Sequence, residues 1–142
     1  GDADACMNVG LYLDESTNQR GGVEVQDSEE AIKWYKKAAV QGLVGAQHNL
    51  GCLFESGSGA PYANDVEAQK WFRLAVAQGN DESQFMLGQF YQNGRGGLKK
   101  SLEKAAKMYR LASKQGNTRA TKHLELLAYI AGAKKKREPC PP

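Results

Sequence analysis

The chain has 142 residues, 41% apolar and 25% charged, with 16 acidic residues and a net charge of +3. This is the composition of a folded domain and excludes a disordered polymer, while no run of about 18 apolar residues is present to span a bilayer. The charge is also too small to make nucleic-acid binding the first expectation.

In chain order, a first helix opens near Ala5 and carries Val9 and Leu13 four apart, with Gly10 beside them. Four extra residues, placed within Thr17 to Gln26, lengthen the loop to a second helix; Gly10 and Ala31 stand 21 apart where later units have 17. Asp27 or Ser28 is the expected cap of that helix, which carries Ala31, Trp34, Tyr35 and Ala38 and stops at Gly42. The plan then returns at an offset of 37 residues. Ala46, Leu50, Gly51 and Phe54 form the next first helix, and Gly57-Ser58-Gly59-Ala60-Pro61 the loop. Asn64 or Asp65 is the cap, followed by Ala68, Trp71, Phe72 and Ala75 up to Gly79. A third copy runs through Ser83, Leu87, Gly88 and Tyr91, a loop at Gly94-Arg95-Gly96-Gly97, the cap Ser101, and Ala105, Met108, Tyr109 and Ala112 up to Gly116. Self-similarity at this period marks a stacked array, with repeats over about 5–45, 46–82 and 83–119 in a domain spanning 1–133.

Glycine inside a helix costs about 1 kcal/mol against alanine, so its return at Gly10, Gly51 and Gly88 requires a reason. Close helix approach supplies it, with Trp34, Trp71 and Met108 as the expected side chains entering the notch. A lone capping helix follows from Thr118 to about Ala131. There Glu125 replaces the notch glycine and Ala128 the aromatic, so nothing further is expected to stack on it. The tail, 134–142, begins with Lys134-Lys135-Lys136-Arg137 and reads as a flexible, solvated end. Each repeat ends in a glycine four residues before the small residue of the next, and Gly1 and Ala5 keep that spacing. The chain therefore reads as the C-terminal part of a longer array.

Leu87-Gly88-Gln89-Phe90-Tyr91, the following Gly94, and A-x-x-W-Y-x-x-A-A-x-Q-G at Ala31 to Gly42 resemble the Sel-1-like repeat family, relatives of tetratricopeptide repeats. The resemblance covers about Ala5 to Ala131, and departs from the pattern at Leu13, Ser16 and Met108. It implies an all-α fold, a right-handed α/α superhelix (solenoid) of about three helix-turn-helix repeats plus a C-terminal capping helix. It also implies a non-catalytic adaptor or scaffold that binds protein partners, a peptide or a helix, and assembles complexes. No cofactor, small-molecule substrate or membrane insertion is expected.

In such an array the first helices line the concave side. Counting from the notch glycine, the groove should present Met7, Asn8, Leu11 and Asp14; His48, Asn49, Cys52 and Glu55; and Phe85, Met86, Gln89 and Gln92. Lys122, His123 and Leu126 continue the row. Asn8 and Asn49 recur in register and suit an extended backbone, while Met7, Phe85 and Met86 suit adaptable apolar contact or plain packing. On the second helices Lys33, Lys36, Lys70, Arg73, Lys107 and Arg110 form a basic stripe, expected on the convex face. It is either a solvated surface or a contact for acidic or phosphate-bearing partners. His48 and Cys52 have metal-ligand spacing, with Cys6 the only further thiol in reach, and no metal site is assigned. Cys6, Cys52 and Cys140 form no pair at a fixed spacing, so no disulfide framework is expected and a reducing intracellular compartment is favoured. Self-association through the stacking face of the first repeat is the alternative to partner binding.

Overall fold

The computed structural model describes residues 3–10, 25–55 and 63–137, with side chains placed at 3–10, 30–55 and 63–132. Every regular element among the described residues is an α-helix. Two compact units divide the chain, Gly1–Asn80 and Asp81–Pro142. The first holds α1 (3–10), α2 (Val25–Val40), α3 (Val44–Phe54) and α4 (Asp65–Ala77); the second holds α5 (Asp81–Asn93), α6 (Leu102–Lys114) and α7 (Thr118–Arg137). Helices adjacent in sequence pack together, α3 on α2 and α4 in the first unit, and α6 on α5 and α7 in the second. No described helix is long and apolar enough to cross a membrane.

Start and stop signals act where the sequence places them in α4 and α6. Asn64 takes an extended conformation and its Oδ1 accepts from the amides of Val66 and Glu67, at 3.0 and 3.3 Å. Ser101 does the same for α6, its Oγ accepting from Lys104 at 3.2 Å. These side chains satisfy amides that the first helical turn leaves without an intrahelical partner. α2 differs, since it already begins at Val25, so Asp27 and Ser28 lie within the helix and do not cap it. The insertion expected within Thr17 to Gln26, and the loop at residues 57–61, fall largely outside the described residues; Val25 and Gln26 belong to α2.

Gly42, Gly79 and Gly116 have φ of 93°, 85° and 90°. After each of them the next amide returns to a helix carbonyl, Leu43 to Ala38, Asn80 to Ala75 and Asn117 to Ala112, at 3.3, 3.1 and 3.1 Å. With the glycine amide bonded one residue further on, each stop is a Schellman motif. Two straps also close the hairpins, the Asn64 amide donating to Phe54 and the Ser101 amide to Tyr91, at 2.6 and 2.8 Å.

The notch glycines are filled, though by other side chains than expected. A Cβ on Gly10 would lie 2.6 Å from the Tyr35 ring and one on Gly88 2.6 Å from the Tyr109 ring, while Gly51 is pressed as closely by Phe72. Tyr35, Phe72 and Tyr109 are fully buried, each between two fully buried alanines of its own helix. Trp34, Trp71 and Met108 are only half-buried, beside the notch. Lys37 Nζ lies 4.5 Å from the Trp34 ring centre, and Trp71 Nε1 is buried without a hydrogen-bond partner. Alanines at the two ends of A-x-x-W-Y-x-x-A sit symmetrically about the aromatic pair, so helical periodicity alone does not choose between its members.

The first-helix face corresponds to expectation at Leu50, Phe54 and Leu87, all buried. Val9 is instead 38% exposed, and Phe90 occupies the core where Tyr91 is only half-buried. α7 continues to Arg137, taking the basic run Lys134 to Arg137 into the helix.

The buried rings make the notches intolerant of a methyl group, because overpacking a close-packed core costs about 1–3 kcal/mol. Gly51→Ala and Gly88→Ala are each expected to destabilise the chain by about 2 kcal/mol in urea unfolding, despite alanine's better helix propensity. Gly132→Ala in α7, where a Cβ meets nothing within 4 Å, is expected to stabilise it by up to about 1 kcal/mol.

Candidate functional site

Each glycine turns one side of its first helix onto the partner helix, and the expected site residues flank that side. In the first unit Asn8 is exposed, and Met7, His48, Asn49, Cys52 and Glu55 are half-buried. Leu11 and Asp14 lie outside the described residues. His48 is anchored twice, with its Nε2 3.5 Å from Cys52 Sγ and its ring centre 5.8 Å from that of Phe72. Met7 Cε lies 3.4 Å from where a Gly45 Cβ would stand. Among the described residues no set of three His, Cys, Asp or Glu side chains is grouped to hold a metal.

In the second unit the expected residues converge on Tyr109. Phe85 is 3% exposed and so belongs to the core, not to an open groove. Its ring centre is 5.7 Å from that of Tyr109 and 4.9 Å, edge-on, from that of His123. The Arg119 guanidinium lies 4.8 Å from the Phe85 ring centre. Gln92 is a structural partner too, its Oε1 accepting from the Tyr109 hydroxyl at 2.6 Å. Met86 and Gln89 are half-buried, Met86 packing against the aromatic cluster, while Lys122 and Leu126 are exposed. Burial pushes the Tyr109 hydroxyl up to about 12.

All six residues of the basic stripe, Lys33, Lys36, Lys70, Arg73, Lys107 and Arg110, are exposed. Lys36 Nζ lies 5.4 Å from the Phe54 ring centre, so its stem covers apolar surface while its charge stays in water.

A pair of glutamines that sequence reasoning passes over joins the two helices of a hairpin. Gln78 Nε2 donates to Gln47 Oε1 at 2.8 Å and to the Gly42 carbonyl at 3.0 Å, and Gln47 Nε2 donates to Ala39 at 3.2 Å. In the second unit Gln115 Nε2 donates to Gln84 Oε1 at 3.1 Å, and Asn117 Nδ2 to Asp81 Oδ2 at 3.1 Å. The signal was present as Gln47 and Gln84 standing 37 apart, in step with Gln78 and Gln115. At the equivalent place in the first repeat stands Cys6, and Gln41 donates instead to Lys37 of its own helix.

Gln47 and Gln84 are 5% and 6% exposed, so the hydrogen bonds they make to Gln78 and Gln115 are largely withdrawn from water. Gln84→Leu is expected to cost about 1 kcal/mol by thermal or urea unfolding. Tyr109 titrates higher folded than unfolded, so its contribution is fully present below about pH 10 and is lost as pH rises through about 12. Absorbance at 295 nm should show Tyr109 ionising near pH 12 in the folded chain. Tyr109→Phe should remove that step.

The Sel1 repeat model matches residues 3–43, 44–80 and 81–117, the last two ending just after the Schellman turns at Gly79 and Gly116. Among solved structures, the chain is similar to a protective antigen present in uropathogenic Escherichia coli strains displaying an SLR fold. Identity is 37% and the TM-score 0.70, over 83% of this chain and 24% of that one. It is also similar to a Sel1 repeat protein from Oxalobacter formigenes, at 35% identity and TM-score 0.74, over 88% of this chain and 49% of that one. The chain thus spans about a quarter and about half the length of these two relatives. No curated protein matches it. Sel1 repeats are in general protein-interaction modules, non-catalytic in most members. With three consecutive matches over most of its length and helical hairpins closed on glycine notches, this chain belongs to the Sel1 repeat family.

Proposed function

We propose that the chain is a non-catalytic adaptor whose first helices bind a peptide or helix of a protein partner. The single observation that carries this is the division of labour on α1 and α3. Gly10 and Gly51 face the second helices, while two residues before them Asn8 is exposed and Asn49 half-buried, with Met7 and His48 alongside. An amide that both donates and accepts, set beside a flexible thioether, suits an extended backbone with varied side chains. In the second unit Met86, Gln89, Lys122 and Leu126 offer the same mixture of soft apolar and polar contact. Phe85 and Gln92 support that surface from beneath by holding Tyr109 and α7 in place.

Capture from a native lysate on the immobilised chain, followed by mass spectrometry, identifies the partner. Its affinity is then measured against Asn8→Ala/Asn49→Ala. Two lost hydrogen bonds of about 1 kcal/mol each should weaken binding on the order of tenfold or more, with unfolding unchanged. Equal affinity of the folded double variant would overturn this assignment.

A further inference from the structure

Between α6 and α7 the second unit contains a cavity of about 550 Å³, lined chiefly by Leu102, Ala106, Leu124, Leu127 and Ala128, with Glu103 and Arg110 also on its wall. Leu102 is 39% exposed, Ala128 is exposed, and Leu124 and Leu127 are half-buried. Two repeat periods earlier, Ile32, Leu50 and Phe54 stand where Ala106, Leu124 and Ala128 stand here, and those three are 8%, 0% and 8% exposed in the unit where α4 packs on α3. Among the described residues of the second unit, no helix packs on α7 as α4 packs on α3.

We propose that this groove docks one amphipathic helix of a partner protein, with small apolar residues inward and acidic residues on its flanks. The wall from Leu102 to Arg110 is about 12 Å of α6, a little over two turns, which matches a helix of ordinary length. The charges of the occupant follow from the outer side of α6, where Lys107, Arg110 and Lys114 are exposed against the single acid Glu103, while Lys104 turns to the Tyr91 ring of α5. Its inward shape follows from Glu125, which stands in α7 where Gly51 and Gly88 stand in the earlier first helices, and is exposed. A helix arriving as α4 does on α3 would drive its ring into that glutamate. Every second helix of this chain carries a ring at that place, Tyr35, Phe72 or Tyr109, so a second copy does not fit. A helix with alanine, glycine or serine there does. The line of α7 residues involved differs from the one carrying Lys122 and Leu126, so this surface is independent of the one proposed above.

The test uses the whole chain and a stapled, fluorescein-labelled peptide with the sequence of Asp65–Ala77 carrying Phe72→Ala, Lys70→Glu and Arg73→Glu. Fluorescence anisotropy should show saturable binding that weakens at least tenfold for chain variants Ala128→Arg and, on the opposite wall, Leu102→Glu. Both positions are exposed, and circular dichroism checks that the variants fold. The same peptide with Phe72 retained should bind the native chain at least tenfold more weakly, and recover on Glu125→Gly. Absence of saturation up to millimolar peptide, or equal affinity in Ala128→Arg and Leu102→Glu, overturns the proposal. So does a concentration-dependent dimer, seen by sedimentation velocity, that either variant dissolves, since the occupant would then be a second copy.

Discussion

Everything in this molecule depends on an aromatic ring lying flat against a helix backbone that has no side chain to hold it off. At Gly10, Gly51 and Gly88 the opposing ring occupies the volume a methyl group would need, and the ring is itself closed in by alanines one turn away on either side. Burying such a ring is worth about 2–3 kcal/mol, more than the roughly 1 kcal/mol that glycine costs the helix. Close-packed interiors have no slack to shift the ring aside, so the contact fixes both the spacing and the rotation of the two helices. The side of the first helix left at the surface is therefore determined by the glycine.

Polar groups refine what the rings establish. The straps from Asn64 to Phe54 and from Ser101 to Tyr91 pin the start of each second helix to the end of its partner. The Gln78–Gln47 and Gln115–Gln84 bonds join the other end. A hairpin held at both ends and packed in the middle unfolds as one piece. At the place of the buried glutamine the first hairpin has Cys6, and its Gln41 bonds within its own helix turn instead of across the hairpin.

The repeat itself was fully legible, because a glycine and an aromatic returning every 37 residues leave little freedom in how a chain can bury them. Caps at Asn64 and Ser101 and stops at the three Gln-Gly pairs were equally plain, being set by local hydrogen-bond chemistry. Choosing the ring was harder. Trp71 and Phe72 are flanked alike by Ala68 and Ala75, and only the third unit separates them, since Met108 leaves Tyr109 as the position that is aromatic throughout. Phe85 was left between groove contact and plain packing because counting from the glycine gives a face but no depth. Arg119 and His123, from a helix more than thirty residues away, close over it. Gln92 was placed on a groove for the same reason, its true partner being a hydroxyl reached only once the hairpin is folded.

The stops at Gly42, Gly79 and Gly116 differ in kind from the notches. A Cβ there meets nothing within 4 Å, and yet the backbone stands at a φ that L-residues rarely adopt. What these positions demand is handedness alone. A D-alanine introduced by chemical synthesis would satisfy the same dihedral angles. It would also remove much of the freedom glycine gives the unfolded chain, so inversion at three Cα atoms would favour the folded state by acting on the unfolded one.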